Sequence, residues 1–79
     1  MQRYGNRSGK SGVVAYEISD DFVAARFTSG TTYWYTKKSV GARHVAALKR
    51  LAKLGEGLGT YISQHPDVRD GYEYKDPPD

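Results

Sequence analysis

From Val13 onward the apolar positions recur with a period of two. Val14, Tyr16 and Ile18 alternate with Val13, Ala15 and Glu17, which predicts a strand. Ser19-Asp20-Asp21 supplies turn chemistry. Val23, Ala25 and Phe27 then alternate with Phe22, Ala24 and Arg26, giving a second strand. After Ser29-Gly30, the run Thr31-Thr32-Tyr33-Trp34-Tyr35-Thr36 is wholly β-branched or aromatic, a third strand. A two-residue turn at Ser29-Gly30 would put Phe27 on the face of Thr32 and Trp34. A three-residue loop Thr28-Ser29-Gly30, with Gly30 left-handed, pairs Phe27 with Thr31 instead. That register gathers Val14, Tyr16, Ile18, Val23, Ala25, Phe27, Tyr33 and Tyr35 on one face. A slip of one residue turns every side chain of a strand over, so the apolar face selects the three-residue loop.

Beyond the strands the period changes. Ser39 is placed as the N-cap of a helix reaching about Leu54, with Gly55 as its left-handed stop. Val45, Leu48, Leu51 and Ala52 mark its buried stripe. Gly57 to Ser63 predicts a shorter helix that buries Leu58, Tyr61 and Ile62 and is stopped by Pro66, with Val68 and Tyr72 adding a final turn. Residues 1–12 are polar and rich in glycine, serine and basic residues, and read as a flexible basic arm. Residues 75–79 read as a polar tail. The expected fold is α+β: a three-stranded antiparallel meander followed by two helices packed on one sheet face, one domain over 13–74.

The segment from Ala15-Tyr16, through Val23-x-Ala25-x-Phe27, Gly30 and Tyr33-Trp34-Tyr35, resembles the KTSC family, small domains that also occur at the C-terminus of some lysyl-tRNA synthetases. Leu48-Lys49-Arg50-Leu51-Ala52, Gly55-Glu56-Gly57-Leu58-Gly59-Thr60-Tyr61-Ile62 and Tyr72 extend the resemblance over residues 11–74. It implies the fold, and RNA binding as the activity suggested for that family. Thr36-Lys37-Lys38-Ser39 departs from the family pattern, in which many members carry Val-Pro before the helix.

Composition narrows the function. At 79 residues there is room for one domain, and with no cysteine neither a disulfide nor a thiolate zinc site supports the core. His44 and His65 lack ligand spacing, so no metal or cofactor is expected. With no apolar leader or membrane span in view, the expected location is the cytoplasm. Charge is strongly segregated: residues 1–16 carry +3, 17–30 carry −2, 31–53 carry +6 and 54–79 carry −4, within a net +3. The basic block holds Lys37, Lys38, Arg43, Lys49, Arg50 and Lys53 and no acid. At about 100° per residue Arg43, Lys49, Arg50 and Lys53 fall opposite the buried stripe, as a solvated face or as phosphate contacts.

Gly5 to Ser11 resembles a phosphate-binding loop, but has three residues between its glycines and leads into a strand, so it is set aside. Gly55, Gly57 and Gly59 serve helix ends. Asp20 and Asp21 are turn residues, His44 is structural, and no nucleophile, base and orienting group can be assembled. An enzyme is therefore not expected. Trp34 points away from the helices, opposite Ala24 and diagonal to Arg26. Either it covers the open sheet face or, with Arg26, it makes a stacking platform. The expected function is a non-enzymatic module binding RNA or single-stranded nucleic acid. The alternative is a protein-interaction module: a homodimer, or an inhibitor of an acidic or nucleoprotein partner, as phages encode.

Overall fold

The computed structural model describes residues 1–7, 9 and 11–78. Its centre is the meander of β2 (Val13–Ile18), β3 (Phe22–Phe27) and β4 (Thr32–Thr36), all antiparallel. The Phe27 N–H donates to the Thr31 carbonyl at 3.0 Å, the Gly30 N–H donates to the Phe27 carbonyl at 2.8 Å, and Gly30 has φ +91°. This is the three-residue loop. It sets Val23 opposite Tyr35 and Ala25 opposite Tyr33, and Val23, Ala25 and Tyr35 are buried against the helices.

On β2 the expected facing needs correction. Val13 opposes Phe27 while Ala15 opposes Arg26, so two steps on β2 meet one on β3. This bulge turns Val13 into the core at 0% exposure and leaves Val14 41% exposed. Tyr16 and Ile18, beyond the bulge, keep the inward facing predicted for them.

Among the described residues the sheet has five strands, not three, with β1 (Gln2–Arg3) added beside β2 at one edge and β5 (Tyr74–Asp76) beside β4 at the other. β1 (Gln2–Arg3) lies in the segment read as a flexible arm, pairing Gln2 with Tyr16 and Arg3 with Ala15. Tyr4 follows it into the core at 4% exposure, packs edge-on against Tyr16, and accepts the Leu58 N–H on its hydroxyl at 3.2 Å. The chain then passes Gly55 so closely that a Cβ there would lie 3.1 Å from the Gly5 Cα, and the Arg7 N–H reaches the Gly55 carbonyl at 2.8 Å. A two-residue strand has no period to read, so only contacts with β2 reveal it. Ser8 and Lys10 of that segment lie outside the described residues.

β5 (Tyr74–Asp76) takes Lys75 and Asp76 out of the expected polar tail and pairs Trp34 with Tyr74 and Thr32 with Asp76. The tail's last residue, Asp79, lies outside the described residues.

Among the described residues four helices, rather than two, cover the inner face. Thr36, not Ser39, is the N-cap: its hydroxyl accepts the Ser39 N–H at 3.0 Å, while the Ser39 hydroxyl accepts the Thr36 N–H at 3.0 Å. This reciprocal capping box starts α1 (Lys37–Val40), and Gly41 at φ +95° breaks the path before α2 (Ala42–Leu54). Gly55 ends α2 in the left-handed conformation, its N–H reaching the Leu51 carbonyl at 3.0 Å. α3 (Leu58–Gln64) buries Leu58 and Ile62, and α4 (Pro66–Arg69) starts on Pro66 and buries Val68. These side chains join Val45, Leu48, Ala52 and the inner face of the sheet in one core. No helix of the described residues is long and apolar enough to cross a membrane.

The Tyr4 hydroxyl is the acceptor for an N–H at the start of α3, so Tyr4→Phe should leave that buried donor unpaired. The expected cost is about 1–3 kcal/mol, read as a lower urea midpoint at unchanged slope. An unchanged midpoint would mean that the Tyr4–Leu58 hydrogen bond contributes nothing to stability.

Candidate nucleic-acid interface

The basic face is built on α1 and α2, neither of which contains an acidic residue. Its cations are not equivalent. The β2–β3 turn folds up beside the helices, where the Lys37 N–H donates to the Asp21 carbonyl at 2.9 Å and the Lys37 ammonium stands 4.0 Å from the Asp21 carboxylate. The Lys49 ammonium donates to the Asp20 carbonyl at 3.0 Å. Two of the predicted contacts are thus tied to the turn whose acids local reasoning had given only a turning role. Lys38, Arg43, Arg50 and Lys53 are exposed, and among the described residues none has a carboxylate within 4.0 Å. Seven- and three-residue spacing keeps Arg43, Arg50 and Lys53 on one side of α2.

Trp34 and Arg26 lie on the opposite face of the sheet, since β4 alternates and Tyr33 and Tyr35 pack into the helix side. The Trp34 ring stacks on Tyr74 at 5.2 Å and 17°, and leans on Phe22 at 5.1 Å and 54°. Its indole N–H donates to the Asp76 carboxylate at 3.0 Å. Arg26 donates from Nε to the Thr32 hydroxyl at 3.4 Å. Both side chains border an open cleft of about 780 Å³, together with Glu17, Thr32, Asp76 and Pro77. Acids from β2 and β5 make this region mixed in charge. The sheet separates it from the cations of α2.

No family model, curated protein or solved structure matches this chain.

One constellation escaped the sequence entirely. His44 Nε2 lies 2.8 Å from the Asp67 carboxylate, and His44 Nδ1 lies 2.7 Å from the Tyr61 hydroxyl. With neutral His44, Nε2–H donates to Asp67 and Nδ1 accepts the phenol proton; as an imidazolium, His44 donates on both sides. His65 stacks on Tyr61 at 4.0 Å and 21°, its Nδ1 2.7 Å from the Tyr61 carbonyl. Phenol, imidazole and carboxylate therefore stand in the order that a nucleophile, base and orienting group would need, although no such set could be assembled from spacing. The groups are separated by 17 and 23 residues, and only the turn through Gly55 and Gly57 brings them together. The arrangement links α2, α3 and α4. The clefts bordered by Trp34 and by Tyr33 do not reach it.

The hydrogen bond from His44, and then its charge, hold the Asp67 carboxyl below its ordinary range. A depressed folded pKa contributes stability that is fully present above the unfolded value of about 3.9 and is lost as pH falls through the folded one. Asp67→Asn should therefore lower the urea midpoint at neutral pH, and the difference from the parent should shrink to nothing in strong acid. A difference independent of pH would assign Asp67 a packing role only.

Proposed function

We propose that this domain is a non-enzymatic module that binds nucleic acid as single strands, RNA foremost, across the exposed face of α1 and α2. The observation that carries this reading is the set Lys38, Arg43, Arg50 and Lys53, exposed and lacking acidic partners among the described residues. Cations left uncompensated on one face attract a polyanion and release its counterions on contact. Lys37 and Lys49, steadied by the β2–β3 turn, flank the track. The resemblance to the KTSC family at Tyr33-Trp34-Tyr35 and over Leu48–Ile62 points the same way and belongs to the proposal. Trp34 and Arg26 are excluded from this track because the sheet stands between them and α2. An engaged indole with one face against Tyr74 and its N–H on Asp76 favours a role in closing the outer face.

Four phosphate contacts on single strands predict a slope of log affinity against log salt near −3, at about −0.7 per contact. Charge reversal at Arg50 and Lys53 should weaken binding and bring the slope to about −1.5, with the fold intact because neither side chain is buried. Failure to bind any RNA or DNA at low salt would end this reading.

A second reading, a protein-interaction module, draws on the aromatic group Phe22, Trp34 and Tyr74, with Tyr74 47% exposed. A self-associating outer face would bury Trp34 as an interface anchor. Dilution without nucleic acid should then move Trp34 emission to the red. Emission independent of concentration would rule out the homodimer.

A further inference from the structure

At one end of the helix face, the β3–β4 loop region, α3 and α4 enclose a cleft of about 450 Å³, a volume typical of small-molecule sites. Aromatic rings line it: Tyr33 meets Phe27 edge-on at 5.5 Å and Tyr72 edge-on at 4.9 Å. Tyr35 follows, roughly parallel to Tyr33 at 6.5 Å. Ser63 and Arg69 contribute from α3 and α4.

Tyr35 is the unusual member. Only 1% of it is exposed, and its hydroxyl has no hydrogen-bond partner among the described residues. No fully buried side-chain oxygen among them is left without a partner, so the phenolic oxygen keeps some exposure to the cleft. A tyrosine this deep normally anchors its hydroxyl on the protein. Phenylalanine would fill the same core volume, so folding does not explain the hydroxyl. Burial, and then the neighbouring phenols of Tyr33 and Tyr72, push its pKa up, so it is a proton donor across the physiological range.

The occupant can be narrowed by charge. Arg69 is bonded through Nε and Nη2 to the Asp70 carboxylate at 3.3 and 3.2 Å, which leaves that rim electrically neutral. A free phosphate or carboxylate gains little there. A flat, neutral ring with an acceptor at its edge suits both the aromatic walls and the single donor within. We propose that the cleft receives a nucleobase, its acceptor edge toward the Tyr35 hydroxyl and its ring among Phe27, Tyr33 and Tyr72. The choice of a base over other flat rings rests on the nucleic-acid reading of α1 and α2. The base can come from a free nucleoside or from an unstacked position in a strand whose phosphates stay outside.

The test uses the whole protein and amide NMR titrations with adenosine, cytidine and uridine, and in parallel with a short single-stranded RNA. Nucleosides should shift the resonances of Phe27, Tyr33, Ser63 and Tyr72, and Tyr35→Phe should weaken that binding by up to about tenfold, the effect of one lost hydrogen bond. Tyr35→Phe should keep or raise the urea midpoint, since it removes a hydroxyl without a protein partner. A lowered midpoint, absent cleft shifts at millimolar nucleoside, or equal binding by Tyr35→Phe would overturn the proposal. RNA binding that depends on Arg50 and Lys53 while the cleft stays silent would defeat the cleft and spare the proposed function. Cleft shifts with nucleosides but no RNA binding would do the reverse, leaving a site for free nucleosides.

Discussion

Strand β4 can offer the helices either its tyrosines or its threonines and Trp34, and the loop Thr28-Ser29-Gly30 decides which. With Gly30 at φ +91° the Phe27 N–H meets the Thr31 carbonyl, and Tyr35 falls opposite Val23 beneath α2 and α3. The core, the cleft at Tyr35 and the outward placement of Trp34 all descend from that register. A shift of one residue would turn Trp34 toward the helices and put Tyr33 and Tyr35 on the outer face. Gly30 also lies against Pro78, so the same loop receives the end of the described chain.

The edges of the sheet are closed by segments too short to stand alone. β1 holds through two paired residues and the anchoring of Tyr4, while β5 holds through Tyr74 on Trp34 and Asp76 on the indole N–H. Each couples a terminal strand to a large aromatic contact. Small domains bury a modest share of their surface, so such contacts weigh heavily. On the helix side, the Asp67–His44–Tyr61 chain and the Tyr4–Leu58 hydrogen bond fasten α3 and α4, which are too short to persist without tertiary partners.

Three surfaces with different chemistry result. The cations of α2 face solvent on the helix layer; the outer sheet face carries stacked aromatics among mixed charges; and the tyrosine cleft opens at the end where β3–β4 meets α3 and α4. Charge distinguishes them most clearly. On the β2–β3 turn the Asp21 carboxylate stands beside Lys37 while Lys49 takes only the Asp20 backbone carbonyl, and Asp67, Asp70 and Asp76 meet His44, Arg69 and Trp34. Among the described residues Arg43, Arg50 and Lys53 have no carboxylate within 4.0 Å, which is the physical basis of the proposed interface.

What the sequence determined by itself was local: the three central strands, the register of the β3–β4 loop, the stripe Val45, Leu48, Ala52 along α2, and the stop at Gly55. Each follows from a period or from a glycine whose backbone freedom a neighbouring turn requires. Its misreadings have equally local causes. Thr36 and Ser39 are both good capping residues, and the choice depends on where Gly41 breaks the helix; Val13 and Val14 are both valines, and only pairing with β3 reveals the bulge between them. Tertiary structure decided the rest: β1 and β5, the tie from Lys49 to Asp20, the assembly of Asp67, His44 and Tyr61, and a buried Tyr35 whose hydroxyl meets a cleft. These are contacts between residues far apart in the chain or segments too short to carry a period. No pattern along the sequence encodes them, because they exist only once the packed core has fixed the distances.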